Sequence, residues 1–363
     1  MLISLLDDHP ELAGFPLEVK FLAHWFERFA NLEQQATYED LNDFFFKSSK
    51  IQLMNSDVSG AADIMNSGRI NFSGFNFTDL YLAQKENELV ATDGALSRDK
   101  LIRRFIFDIH NALIEVREKK SFRMVVVKEG NHGAPYIEKI RRLFGNARFI
   151  VVQRDPRDIF VSLKTIAEQK RQGVVSPSFK DFISPAEFVV GNPRKNIRAF
   201  ANVFSEFSQD DGFLFVKYES LVTDPRRQTE AIAKFLDIDN HSSLSFPSNL
   251  GRAWGGNSSE MGKFKGISGE RRNKWKRSLT KPEIRILEYA FMRYMKQGGY
   301  QFSGQHLGHF QFMLDVFWTQ AQAIVKTWSW SMIGIKAVVK QGLVTVHVII
   351  ELLLLKLHRN TQD

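Results

Sequence analysis

An α/β fold built on a central parallel sheet, followed by a hydrophobic helical tail, is what this sequence of 363 residues predicts. Three observations carry the prediction. Short apolar runs recur: MVVV at 124–127, FIVV at 149–152 and FLFV at 213–216. Each is continuous rather than alternating, the pattern of a strand covered by helices on both faces. Helical patterns separate the runs, and a strand–helix–strand rhythm makes neighbouring strands parallel.

Each element has a local reason. Residues 2–6, LISLL, read as the end of a helix that Asp8, His9 and Pro10 break. His9 reads as structural, holding that turn. Residues 17–47 read as helical and rich in aromatics. Residues 66–79 are polar and glycine-bearing, and read as a loop punctuated by Phe72, Phe75 and Phe77. Residues 97–118 form an amphipathic pattern, with Ser97 as cap and Leu101, Ile102, Phe105, Ile106, Ile109 and Leu113 as the apolar stripe. APYIEKIRRLFG, between the first two strands, reads as a helix closed by Gly145. Pro156 and Pro225 each stand where a helix begins, the position that tolerates a missing N–H.

Composition narrows the chemistry. The formal net charge is +8, which fits an anionic small molecule, a membrane surface or nucleic acid without choosing among them. Cysteine is absent, which removes disulfides, thiolate zinc sites, Fe–S clusters and cysteine nucleophiles, and favours a reducing compartment. Nine histidines show no HExxH pattern, and no acidic cluster has ligand spacing, so no metal is expected. The basic residues are dispersed and no recognition helix is visible, so nucleic acid is not an expected partner. The first residues lack the basic region of a signal peptide, and a cytoplasmic location, with peripheral membrane contact, is expected.

In parallel sheets, ligands bind beyond the carboxyl ends of the strands, where Lys128, Arg154 and Tyr218 fall. The stretch FIVVQRDPRDIFVS delivers Arg154 to that edge and puts Ser162 about two helical turns beyond Pro156. An arginine fork and a serine hydroxyl suit a phosphate. Equally, Arg154 pairs with Asp155 or Asp158 and Ser162 is a small helix residue.

The segment resembles the 3′-phosphate-binding element of the sulfotransferases that use 3′-phosphoadenylyl sulfate (PAPS). Arg154, Pro156, Asp158 and Ser162 match its Arg-x-Pro-x-Asp turn and following serine. Three further segments align in order: LLDDHPELAGFPLEVKF from Leu5, FLFVKYESLVTDPRRQTEAIAKFLDI from Phe213, and FKGISGERRNKWKRSLTKPEI from Phe264. The resemblance spans roughly residues 1–300. It implies a three-layer P-loop-like fold there, with residues 301–363 as an appended tail. It implies that PAPS, an anionic nucleotide, is the co-substrate without a metal. It also implies that Arg154 and Ser162 hold the 3′-phosphate, with Arg271, Arg272 and Lys265 reaching over from the late basic loop. The product would be a sulfate ester on a hydroxyl of a carbohydrate, lipid or small metabolite.

Sulfuryl transfer to an alcohol needs a base, cations on the transferring group and in-line placement. Glu18 matches the acceptor-side glutamate, and His132, in EGNHGAP, is the second candidate base. Glu18 reads equally as a surface residue paired with Lys20. Lys128 is placed either to contact the bridging oxygen or an acidic acceptor, or to be a solvated strand-end lysine. The glycine-, serine- and threonine-rich loop that cradles a 5′-phosphosulfate through backbone N–H groups is not seen before DDHPEL. It is expected upstream of Met1, or else the chain is a shortened homologue with impaired transfer. A non-catalytic, membrane-associated scaffold and a small-molecule kinase are the rival readings. The kinase lacks GxxxxGK[ST].

In the tail, Lys326, Lys336, Lys340, His347 and Glu351 fall within about 80° of helical arc on an otherwise apolar rod. Trp318, Trp328 and Trp330 stand near its start. Such a helix suits a membrane interface, packing on the domain, or pairing with a second subunit; a tilted spanning helix is a fourth option.

Overall fold

A computed structural model describes residues 2–14, 21–29, 40–41, 98–116, 121–129, 133–171, 184–249, 251–253, 266–304 and 308–330. Glu18, His132 and Lys265 lie outside the described residues. So do Ser97, the 66–79 segment, most of 30–47 and residues 331–363. The chain divides into two compact units. One comprises residues 1–151, 211–216 and 220–269; the other comprises 152–210, 217–219 and 270–363.

In the first unit, α1 (Leu2–Leu6) leads through a turn to β1 (Leu12–Gly14). His9 Nε2 meets the Asp239 carbonyl at 2.8 Å, and its Nδ1 accepts the Glu11 N–H, so this histidine holds the turn. β1 runs parallel to β2 (Met124–Val126), with Leu12 opposite Met124 and Gly14 opposite Val126. β1 carries no sequence signal. Its residues, LAG, include two poor strand formers and are too few to show alternation. The segment after it is helical where described: α2 (Phe21–His24) continues into a π-helical turn, Trp25–Phe29. The long helix α3 (Arg98–Val116) buries Leu101, Ile102, Phe105, Ile106 and Ile109 of the stripe the sequence marks; the Leu113 side chain lies outside those described.

After β2 a 3-10 turn (Ala134–Tyr136) opens α4 (Ile137–Leu143). Gly145 does not close this helix as expected. The chain turns extended already at Phe144, whose N–H reaches the Ile140 carbonyl, and Gly145 takes no left-handed conformation. β3 (Phe149–Gln153) pairs with β4 (Phe213–Lys217), and Phe149 stacks on Phe213 at 4.7 Å. After β4, α8 (Tyr218–Thr223) leads to α9 (Pro225–Leu236), which Asp224 caps. β5 (Ser248–Asn249) and β6 (Arg252–Ala253) form a short antiparallel ladder. The core of this unit gathers Leu5, Leu6, Leu12, Val216, Leu221, Ile232, Leu236 and Leu244, with Met124, Ile150 and Leu214 against it.

The fold is therefore mixed α/β, but the expected single central sheet is not what the described residues form. They form three two-stranded sheets. Nor is every strand covered on both faces, since Val152 is 39% exposed while Val151 and Gln153 are buried. Side chains alternate along a strand, so Val152 points to the face opposite Val151 and Gln153. An unbroken apolar run does not reveal that one face ends uncovered.

The second unit is helical: α5 (Pro156–Arg171), α6 (Pro185–Val190), α7 (Asn192–Phe207), α10 (Trp275–Ser278), α11 (Lys281–Ala290), α12 (Met292–Gln297) and α13 (His309–Trp330). Phe160, Phe188, Ile286, Leu287 and Met295 are fully buried at its centre. The ring of Phe188 lies 5.4 Å from Phe160 and 5.5 Å from Phe291. α13 buries Phe312, Val316 and Ala323, and Arg285 of α11 grips Asp315 with two hydrogen bonds of 2.6 Å. Its other side leaves Leu314, Phe317 and Trp318 exposed. Among the described residues, no helix is long and apolar enough to cross a membrane.

Candidate functional site

The start of α5 is fixed by its own side chains. Asp155 precedes Pro156, and its Oδ1 accepts the Arg157 N–H at 2.9 Å, an N-cap arrangement. The Asp155 N–H in turn donates to Glu219 Oε1 at 2.9 Å, and Tyr300 donates to the other oxygen of Glu219 at 3.2 Å. Burial raises the pKa of Glu219 and of the Tyr300 hydroxyl.

Arg157 is the charge at the centre of this floor, 2% exposed. Its guanidinium forms a fork with Asp155, reaches Glu288 Oε1 at 2.6 Å and sits over the Trp275 ring, 3.6 Å from its centre. Glu288 also accepts from the backbone and hydroxyl of Ser303. A buried ion pair is tolerated only when its remaining donors and lone pairs are met, as here.

Arg154 stands differently. Its backbone is clipped on both sides by one hydroxyl: the Arg154 N–H donates to Tyr294 Oη at 3.1 Å, and Tyr294 donates to the Arg154 carbonyl at 3.2 Å. Its guanidinium rests 4.6 Å from the centre of the Tyr218 ring, a cation–π contact. Of the two carboxylates beside it in sequence, Asp155 is taken by Arg157 and Asp158 by backbone N–H groups. The alternative in which Arg154 pairs with either is therefore not the one adopted. Among the described residues, its buried Nε meets no hydrogen-bond partner. A buried N–H donor left unmet costs free energy, and an anion supplies the missing lone pair.

Asp158 joins the two segments that matter. Its Oδ2 accepts the Asn273 N–H at 2.8 Å and its Oδ1 the Trp275 N–H at 2.9 Å. Burial raises its pKa, and those two backbone donors oppose the rise. The segment holding Arg271 and Arg272 is thereby tied to the first turn of α5. Asp158 and Ser162 are one turn apart on the same helix face. Thus Arg154, Ser162, Arg271 and Arg272 belong to one locality of the second unit. Ser162 and Arg271 are half-buried, and Arg272 is exposed. The Trp275 Nε1 is a second buried N–H donor without a partner among the described residues.

Lys128 is exposed on the segment leaving β2, in the first unit. Its neighbour Glu129, which sequence reasoning passed over, accepts the Leu22 N–H at 2.8 Å and the Ala23 N–H at 3.1 Å. A carboxylate at a helix start meets orphan N–H groups and the positive end of the dipole. Nothing in the spacing of residues 22 and 129 announces it. The same holds for Tyr294, Tyr300 and Glu288, which lie far along the chain from the residues they fix. Among the described residues, no group of His, Asp or Glu side chains is arranged to hold a metal ion.

A donor-rich, cationic locality at the end of a strand suits an anion, and the comparisons add a family. The sulfotransferase family profile matches residues 1–242. The sulfotransferase domain from the curacin biosynthetic pathway aligns with 83% of this chain and 93% of its own, at 18% identity and a TM-score of 0.45. Sulfotransferase STF9 from Mycobacterium avium aligns with 84% of this chain and 75% of its own, at 14% identity and a TM-score of 0.37. Likenesses this loose carry no argument about the site. No curated protein matches the chain. The profile match, over 242 of 363 residues, places this chain in the sulfotransferase family.

Proposed function

We propose that this protein transfers a sulfuryl group from PAPS to a hydroxyl of a carbohydrate, lipid or small metabolite. The observation that carries the reading is Arg154: a guanidinium at the carboxyl end of β3, held by its backbone, with a buried Nε that no described group meets. In this reading Arg154 and Ser162 hold the 3′-phosphate, and Arg271, Arg272 and Lys265 close over it. When bound, PAPS supplies an activated sulfuryl group that passes in line to the acceptor oxygen, leaving adenosine 3′,5′-bisphosphate. Glu18 or His132 takes the proton from the acceptor hydroxyl, and Lys128 offers a cation on the acceptor side. The donor set fits the nucleotide, because arginine forks and N–H groups match phosphate oxygens and need no metal to do so.

Titration calorimetry of the full chain with adenosine 3′,5′-bisphosphate tests the reading. Arg154→Ala should weaken binding at least about tenfold, the size expected for a lost hydrogen bond to a charged group. Binding that R154A leaves unchanged, or no binding by the unaltered protein, would reject it. Tight nucleotide binding without transfer of sulfate to any hydroxyl acceptor would point instead to a non-catalytic scaffold.

A further inference from the structure

We propose that Asp158 is a positioning residue: it latches the 271–275 segment onto α5 and so sets how strongly the site prefers a nucleotide with a 3′-phosphate. This rests on the reading of Arg154, Ser162, Arg271 and Arg272 as that phosphate's ligands.

The geometry supports a latch rather than a ligand. Asp158 is 2% exposed, and its two oxygens each take one backbone N–H of the same short segment, at 2.8 and 2.9 Å. Both oxygens are thus engaged by the backbone of one segment. The first of the two donor residues is itself constrained: Asn273 has φ 59°, the left-handed conformation that asparagine tolerates and β-branched residues do not. Two adjacent arginines repel each other, and a segment that opens with them would otherwise be held apart by its own charge. Tying the next residues to α5 fixes Arg271 and Arg272 before any anion arrives. Binding then does not bear the full cost of ordering that segment. Trp275, whose N–H Asp158 accepts, is also the platform under Arg157, so the latch shares its anchor with the buried floor.

The test compares two probes on the full chain, adenosine 3′,5′-bisphosphate and adenosine 5′-monophosphate, by calorimetry. The ratio of their dissociation constants reads the 3′-phosphate alone. Asp158→Asn keeps one acceptor but replaces the other with an N–H₂ group facing an N–H donor. It should lower the ratio about tenfold while leaving the monophosphate within about twofold. Two further variants leave the buried carboxylate intact. Asn273→Gly should keep the preference, and Asn273→Val, which cannot hold the left-handed turn, should lose it. A ratio unchanged in both D158N and N273V would overturn the latch, as would an equal loss of both nucleotides, the mark of general damage. If R154A loses the preference and D158N does not, the latch fails and the cofactor reading stands. If the unaltered protein shows no preference at all, both fail.

Discussion

Arg157 sits between two sequence neighbours, Arg154 and Asp158, that a reader of the chain would rank above it. Its burial makes it the structural charge of the group. It meets Asp155 two residues earlier and Glu288 131 residues later. The first partner is visible in the sequence; the second is not, because nothing local announces a contact at that separation. Arg157→Ala would strand two buried carboxylates, so it should destabilise the protein by about 3–5 kcal/mol in chemical denaturation. A loss below about 1 kcal/mol would mean that water reaches the cluster. The spacing of Arg154 and Ser162, in contrast, is legible in the sequence. A turn with arginine, proline and aspartate after an apolar run fixes their spacing without help from the rest of the chain. What the sequence left open was which aspartate Arg154 prefers, and the structure answers that both are otherwise engaged.

At the scale of elements, apolar runs and prolines located β2, β3, β4, α5 and α9. Where the reading failed, the signal was tertiary. β1 exists because residues 12–14 find an edge of β2 to pair with, not because LAG favours a strand. α4 ends before its glycine because the chain turns extended at Phe144. The helix α11 shows the opposite case, where local chemistry suffices. Thr280 caps it, accepting the Glu283 N–H, and Glu283 reaches back to the Thr280 N–H at 2.8 Å, a complete capping box. Glu283 also holds Lys164 of α5 at 2.7 Å, so this cap joins two helices. Thr280→Ala should cost about 1 kcal/mol. Glu283→Ala should cost more, because it also frees Lys164. Equal losses in denaturant titrations of the two variants would show that the link to α5 contributes nothing.

For the molecule as a whole, the pH dependence of stability has an identifiable contributor in His110. It is fully buried on α3, with Nδ1 2.6 Å from the Ile106 carbonyl. Burial away from water lowers its pKa to about 4, against the partial opposition of the Ile106 and Val126 carbonyls. The folded state therefore keeps the ring neutral where the unfolded state, near 6.5, protonates it. Above pH 6.5 His110 has no effect on pH dependence. As pH falls from 6.5 towards 4 the unfolded chain gains a proton that the folded one refuses, and stability declines by up to about 3 kcal/mol. His110→Gln should flatten that decline in unfolding free energies measured across the window; an identical slope would assign the loss to other groups. By itself the sequence determined the family and the strands that precede Lys128, Arg154 and Tyr218, because each is written in contiguous residues. Only the tertiary structure decided which carboxylates are engaged, that Tyr294 and Tyr218 seat Arg154, and that Asp158 holds the backbone of Asn273 and Trp275 against α5. Apart from the Asp155–Arg157 pair, those contacts join residues 64 to 140 positions apart, and no local pattern encodes which distant partner a buried charge will find.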